Sequence, residues 1–85
     1  MASPRLKGKV ALITGPVGGI GLAAAHAMSL EGADIIGLDL TGNDWRELHD
    51  TVSANGRRLV QIEGDVASET TWQKVRAIVA KEFAN

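Results

Sequence analysis

Residues 14–21 read Thr-Gly-Pro-Val-Gly-Gly-Ile-Gly, and this glycine-rich stretch lies between an apolar run and a helical pattern. The run 9–14 is almost continuously apolar and ends at turn residues, which is typical of a strand buried on both faces of a parallel sheet. From Gly19 the apolar residues recur at helical spacing. The stretch therefore predicts a tight strand-to-helix turn whose backbone can come close to a phosphate-bearing ligand.

The rest of the chain repeats this alternation of strand and helix patterns. Residues 33–39 and 58–63 have strand character, and each run is followed by turn residues and then by helical spacing. Alternating elements with short connections predict a parallel sheet with right-handed crossovers. The expected fold is α/β, the first half of a Rossmann-type doubly wound sheet, with three strands and three helices.

Each predicted helix has an apolar face that we expect to meet the sheet. The second helix follows a cap at Asn43 or Asp44 and ends at Asn55-Gly56, and Ser68 is the predicted cap of the third. The expected buried faces are Ile20, Ala23, Ala24, Ala27, Met28 and Leu30 in the first helix, Trp45, Leu48 and Val52 in the second, and Trp72, Val75, Val79 and Phe83 in the third.

The composition narrows the class of protein. Nine Lys and Arg against ten Asp and Glu give a net charge of -1, so there is no electrostatic case for binding nucleic acid or an anionic membrane. The chain has no Cys, which excludes disulfides and thiolate metal sites, and no apolar run approaches the roughly 20 residues of a membrane-spanning helix. We expect one cytoplasmic domain over residues 1–85, with 1–7 as a loosely held lead-in.

Asp39 ends the second predicted strand, eighteen residues after Gly21. This is close to the spacing expected for the acidic residue that binds the ribose hydroxyls of a dinucleotide, so the glycine stretch and Asp39 together predict dinucleotide binding. A carboxylate accepts hydrogen bonds from both hydroxyls and repels a 2′-phosphate. The predicted cofactor is therefore NAD in preference to NADP.

The glycine stretch fits the dinucleotide-binding pattern in two registers. In the first, Gly15 makes the turn, Gly19 lets the pyrophosphate approach the backbone and Gly21 lets the helix pack close to the sheet. In the second, residues 19–24 carry the pattern and the turn moves four residues along. The first is preferred, because Pro16 cannot donate to a strand ladder and the strand should end before it.

Three motifs in chain order make this sequence resemble the short-chain dehydrogenases/reductases. Residues 6–15 followed by residues 19–21 resemble the N-terminal signature of that family. Residues 32–39 look like the second strand of its NAD-preferring members, and residues 64–66 are similar to its Asp-Val pair after the third strand. The resemblance covers nearly the whole chain and implies an NAD-binding domain.

The resemblance implies a cofactor role for a defined set of residues. Those expected around the pyrophosphate and the nearby ribose are Gly15, Gly18, Gly19, Ile20 and Gly21. Asp39 would bind the adenosine ribose with Leu40 beside it, and Asp65 and Val66 would recognise adenine. Neither Gly18 nor Leu40 is basic, whereas NADP-preferring relatives often carry a basic residue at one of these two positions.

The resemblance also implies a catalytic half that this chain is expected to lack. The family uses a Tyr as acid/base, assisted by a nearby Lys because a phenol needs a cation to lower its pKa, and a Ser that orients the carbonyl. The chain contains no Tyr, and residue 85 falls where the fourth strand of the family would begin. We therefore expect no catalytic residues, no metal site and no activity from this chain alone.

Three hypotheses for function stay open. The first is the N-terminal NAD-binding fragment of an enzyme that, when complete, transfers hydride between NAD and an alcohol or ketone. The second is a stand-alone, non-catalytic module that binds nucleotides or a partner, and the third is an inactive remnant. Under the first, the strand at 9–14 lacks a neighbour on one side, so self-association through that edge is expected.

Overall fold

A computed structural model describes residues 5–83 as a three-stranded parallel sheet with helices on both faces. The strands are β1 (Val10–Thr14), β2 (Asp34–Asp39) and β3 (Leu59–Glu63), and the helices are α1 (Gly19–Leu30), α2 (Arg46–Ala54) and α3 (Glu69–Phe83). The predicted α/β fold, the first half of a Rossmann-type sheet, is confirmed. Each strand begins one residue later than predicted.

The central strand is β2, in the order β1-β2-β3, with Gly37 opposite Ile13 on one side and Gln61 on the other. The core has two parts, one on each face of the sheet. The part on the α1 and α2 face is Ile13, Ala25, Ala33, Ile35, Trp45, Leu48 and Val52, and the part on the α3 face is Ile36, Leu38, Ile62 and Val75. In β1 only the face toward α1 and α2 is covered, so Val10 and Leu12 on the opposite face remain 41% and 43% exposed.

The prediction of helix faces is right for α2, right for α3 except at Val79, which is 39% exposed, and wrong for most of α1. Trp45, Leu48 and Val52 are all buried, whereas α1 buries Ala25 and Ser29, packs Leu22 and Ala24 partly against the core and leaves Ile20, Met28 and Leu30 exposed. The reason is that α1 is apolar on most of its surface, so hydrophobicity does not select a face. Small residues let the helix axis approach the sheet, and they form the inner side. The predicted α1 residues that face outward are Ile20, Ala23, Ala27, Met28 and Leu30.

The middle of β2 accepts two rings because Gly37 has no side chain. A Cβ atom at this position would lie 2.9 Å from Cζ3 of Trp45 and 3.0 Å from Cγ of Pro16. Pro16 belongs to the turn after β1, and Trp45 directly precedes α2. Both rings are buried, so the contact attaches the two loops at the carboxyl end of the sheet to its central strand.

The described part of the predicted lead-in contacts the end of α1. The N–H of Leu6 donates to the Glu31 carbonyl at 2.8 Å, and Nη2 of Arg5 lies 2.7 Å from Oε1 of Glu31. Residues 1–4, which the lead-in prediction also includes, lie outside the described residues. None of the helices found between residues 5 and 83 has the length and apolar character needed to cross a membrane.

Gly21 and Gly18 provide a matched test of close packing at the start of α1. A Cβ at Gly21 would overlap the Gly15 carbonyl and lie 2.9 Å from Cα of Pro16, whereas a Cβ at Gly18 would meet nothing within 4 Å. We predict that Gly21→Ala lowers the free energy of unfolding by about 1–3 kcal/mol, even though alanine favours a helix by about 1 kcal/mol. Gly18→Ala should lower it less, by about 0.5 kcal/mol, because the new Cβ meets no atom and the only loss is the preference of an N-cap for glycine over alanine.

The measurement is urea unfolding followed by circular dichroism, with the midpoint and the slope compared among the wild type and the two variants. Equal stability of the two variants would contradict the packing assigned to Gly21.

Candidate nucleotide-binding site

A cleft of about 310 Å³ opens at the carboxyl ends of the three strands. In parallel sheets with crossover helices, this edge is where ligands bind, because the loops that leave the strands meet there. The lining residues are Thr14, Gly15, Leu38, Asp39, Leu40, Gly64, Asp65 and Val66. Five of the predicted cofactor residues are thus brought to one cleft, namely Gly15, Asp39, Leu40, Asp65 and Val66.

The turn from β1 into α1 begins at Gly15, in agreement with the preferred register. Gly15 has a φ of 67°, a conformation that other residues rarely adopt, and its N–H donates to the Leu38 carbonyl at 2.9 Å. Gly18 is the N-cap of α1 in extended conformation and provides no side chain to the first N–H groups of the helix. These groups carry the partial positive charge of a helix N-terminus, which attracts anions.

The other predicted residues of this stretch lie at the start of α1, beyond the lining of the cleft. Gly19, Ile20 and Gly21 form its first turn, and the Ile20 side chain is 89% exposed. Of the residues predicted to surround the pyrophosphate, Gly15 therefore lines the cleft, and the other four lie at the neighbouring N-terminus of α1.

Asp39 is half-buried at the end of β2, and hydrogen bonds fix its carboxylate. Its Oδ1 accepts from the N–H of Leu40 at 2.8 Å and from Nδ2 of Asn43 at 3.0 Å. Its backbone carbonyl accepts from the N–H of Gly64 at 2.9 Å, which connects the loops after β2 and β3. The sequence analysis did not identify Asn43 as a site residue, because it is equally plausible as a helix cap.

Asp65 and Val66 lie on the loop between β3 and α3, and this loop is also held by local hydrogen bonds. Oδ1 of Asp65 accepts from the N–H of Ala67 at 2.8 Å, and the Val66 carbonyl accepts from Nε1 of Trp72 at 2.7 Å. The sequence analysis assigned Trp72 only to the core. Its ring packs beside the α3 part of the core while its N–H fixes Val66, a combination that an amphipathic tryptophan permits.

A second groove of about 550 Å³, which Asn43 also lines, contains an exposed ion pair. Nη2 of Arg46 lies 2.7 Å from Oδ2 of Asp44, and the guanidinium hydrogen bonds lower the pKa of Asp44 to about 2. A depressed pKa stabilises the folded state above the ordinary value near 3.8, and this contribution is lost as the pH falls toward 2. Both side chains are exposed, so the pair affects local charge more than stability.

The chemistry of the cleft is that of binding. It offers a positioned carboxylate for hydroxyl groups and the apolar side chains of Leu40 and Val66 for a flat ring. The N-terminus of α1, which attracts phosphate, follows the turn at Gly15 and lies outside the lining of the cleft. Within residues 5–83 there is no cluster of three or more His, Asp or Glu side chains that could hold a metal ion.

Comparisons with known proteins agree with this geometry. Residues 9–85 match the family model described as short chain dehydrogenase. The 3-oxoacyl-acyl-carrier-protein reductase of Escherichia coli is 39% identical over 72 residues, which are 84% of this chain and 30% of the relative. The chain thus spans about a third of the length of this relative.

Solved structures of similar proteins contain either nicotinamide cofactor. A short chain dehydrogenase from Mycobacterium paratuberculosis bound to NAD is 35% identical with a TM-score of 0.77, over 91% of this chain and 34% of that protein. L-sorbose reductase from Gluconobacter frateurii, in complex with NADPH and L-sorbose, is 32% identical with a TM-score of 0.77, over 94% of this chain and 31% of that protein. By its sequence match and its fold, this chain belongs to the short-chain dehydrogenase family and corresponds to the N-terminal portion of its members.

Proposed function

We propose that this chain is the NAD-binding part of a short-chain dehydrogenase, which transfers hydride between NAD and an alcohol or ketone when the catalytic residues are present. The observation that carries the proposal is the convergence of Gly15, Asp39 and Asp65 on one cleft at the carboxyl edge of the sheet. The family match supports the reaction class. This proposal is preferred over a stand-alone module or a remnant.

In this proposal each part of the cleft binds one part of the dinucleotide. Gly15, Gly18, Gly19, Ile20 and Gly21 surround the pyrophosphate and the nearby ribose, where the helix N-terminus favours negative charge. Asp39 accepts hydrogen bonds from the adenosine ribose with Leu40 beside it. Asp65 and Val66 recognise adenine.

The charge around Asp39 supports a preference for NAD over NADP. Asp39 itself repels a 2′-phosphate, and Arg46, a cation of the adjoining groove, is already paired with Asp44. An exposed ion pair of this kind holds its partners weakly, so the preference rests mainly on Asp39.

Replacing the negative charge at the end of β2 by a positive one should reverse the proposed cofactor preference. We predict that the wild-type chain binds 5′-AMP more tightly than adenosine 2′,5′-bisphosphate, a mimic of the NADP half. In Asp39→Ser/Leu40→Arg the order should reverse, because a repelling carboxylate is replaced by a small side chain and a cation is added. Saturation-transfer NMR titrations measure both affinities. Tighter binding of the bisphosphate by the wild type would contradict the role of Asp39.

We further predict that NAD binds this chain weakly, with an affinity similar to that of 5′-AMP. The adenosine side of the site is present, whereas the proposal assigns the nicotinamide side to residues that this chain does not contain. Isothermal titration with micromolar protein should therefore detect little heat, and NMR with millimolar ligand should detect binding. A low-micromolar affinity for NAD that is lost in Asp39→Ala would instead indicate a stand-alone binding module.

We also propose that a second copy of this chain pairs with the open side of β1. Among the described residues β1 pairs with β2 alone, so its other side has unpaired backbone groups. β1 also carries exposed apolar side chains, since Val10 and Leu12 are 41% and 43% exposed. An open strand edge beside exposed apolar side chains is a template for association.

Size-exclusion chromatography with light scattering tests this association. We predict a mass above the 8.9 kDa of one chain and a shift toward the monomer in Leu12→Lys. Leu40→Lys is the matched control, because Leu40 is also exposed but lies beyond the end of β2. A compact wild-type monomer that unfolds in one steep transition would exclude pairing through β1.

A further inference from the structure

The side chain of Asn43 connects the middle of the loop between β2 and α2 to the end of β2. Its Nδ2 donates to Oδ1 of Asp39 at 3.0 Å and to the Leu40 carbonyl at 3.1 Å. Gly42, with a φ of 95°, turns the backbone so that the next residue faces the end of β2. The loop is therefore folded back on the carboxylate that ends the strand.

Neither of the two predicted caps is the N-cap of α2. That position is Trp45, which makes no side-chain hydrogen bond to the helix, and Oδ1 of Asp44, one residue earlier, accepts the N–H of Arg46 at 3.0 Å. The prediction of a cap at Asn43 or Asp44 is therefore wrong. Both hydrogen bonds of the Asn43 amide go to the end of β2.

The identity of the side chain at position 43 matters for charge. Asp39 presents only acceptor atoms, so it needs a donor opposite, and an amide provides one without adding charge. Together with the N–H of Leu40, Asn43 occupies Oδ1 from within the loop. Oδ2 has no hydrogen bond from any residue between 5 and 83, and Asp39 lines the cleft.

We propose that Asn43 is a positioning residue that orients the Asp39 carboxylate and leaves Oδ2 for the ribose hydroxyls of the nucleotide. This inference rests on the proposed function, in which Asp39 binds the adenosine ribose. A carboxylate held in one orientation before binding loses less rotational freedom when the hydroxyls arrive. Asn43 acts through Asp39 and does not itself contact the nucleotide.

The test compares 5′-AMP with 2′-deoxyadenosine 5′-monophosphate, because the two ligands differ only in the 2′-hydroxyl, one of the two ribose hydroxyls that Asp39 is proposed to bind. Saturation-transfer NMR on the full chain gives both dissociation constants and their ratio. We expect the wild type to prefer 5′-AMP. Asn43→Ala should weaken 5′-AMP binding by roughly threefold to tenfold, while binding of the deoxy ligand changes little, so that the ratio falls toward one.

Four further variants separate positioning from damage to the fold. In Asn55→Ala an asparagine that bonds Ser29 between α1 and α2 is removed, and the ratio should stay at the wild-type value even if stability falls. In Asp39→Ala the ratio should be lost, and adding Asn43→Ala should have no further effect on it. Asn43→Asp, which sets two carboxylates against each other, should reduce the ratio at least as much as Asn43→Ala.

The outcomes distinguish the positioning role of Asn43 from the proposed binding of the ribose by Asp39. A wild-type preference for 5′-AMP that disappears in Asp39→Ala but persists in Asn43→Ala supports the proposed function and overturns the positioning role. A wild type with no preference between the two ligands, or no binding, overturns both. Equal weakening of the binding of both ligands in Asn43→Ala overturns the positioning role of Asn43, because a merely structural role does not distinguish the ligand with the 2′-hydroxyl from the one without it.

Discussion

Where Gly37 lacks a side chain, the rings of Pro16 and Trp45 pack against the middle of the central strand. Each ring belongs to a loop that borders the cleft, so one contact holds both loops to the sheet. Pro16 holds the turn that leads to the N-terminus of α1, and Trp45 holds the end of the loop that follows Asp39 and contains Asn43. The positions of the glycine turn and of the carboxylate are therefore not independent.

Burial of the Trp45 ring is favourable even though its N–H has no hydrogen-bond partner among the described residues. The indole is 5% exposed, and its Nε1 has no hydrogen-bond partner among residues 5–83. An unpaired buried N–H costs about 1–3 kcal/mol, whereas removing about 200 Å² of aromatic surface from water contributes about 5 kcal/mol. The apolar term is the larger, so the ring stays buried and the loop before α2 stays attached.

The sequence was sufficient to predict the elements and most of the cleft, because these depend on local patterns. Strand residues alternate with glycine and helical spacing, and Asp39 and Asp65 each follow a strand, so parallel topology brings them to one edge. The face of α1 was not predictable from apolar spacing, since its surface offers apolar residues on most sides and close packing selects the small ones. The contacts of Asn43 with Asp39 and of Pro16 with Gly37 were not predicted, for a different reason. These contacts depend on how a loop returns to the sheet, which a linear pattern does not encode.

The hydrogen bonds of the cleft join residues close in sequence, whereas the packing contacts that hold the loops to the sheet join residues far apart in sequence. The side chains of Asp39, Asp65 and Trp72 bond within six residues of themselves, on surfaces that are largely exposed. The scaffold contacts of Gly37 with Pro16 join segments twenty-one residues apart. Local, exposed bonds contribute little to the free energy of unfolding, whereas the buried contacts carry most of it. The charges proposed to select a nucleotide are therefore free to change without loss of the fold, while the glycines that admit the rings and the helix are not.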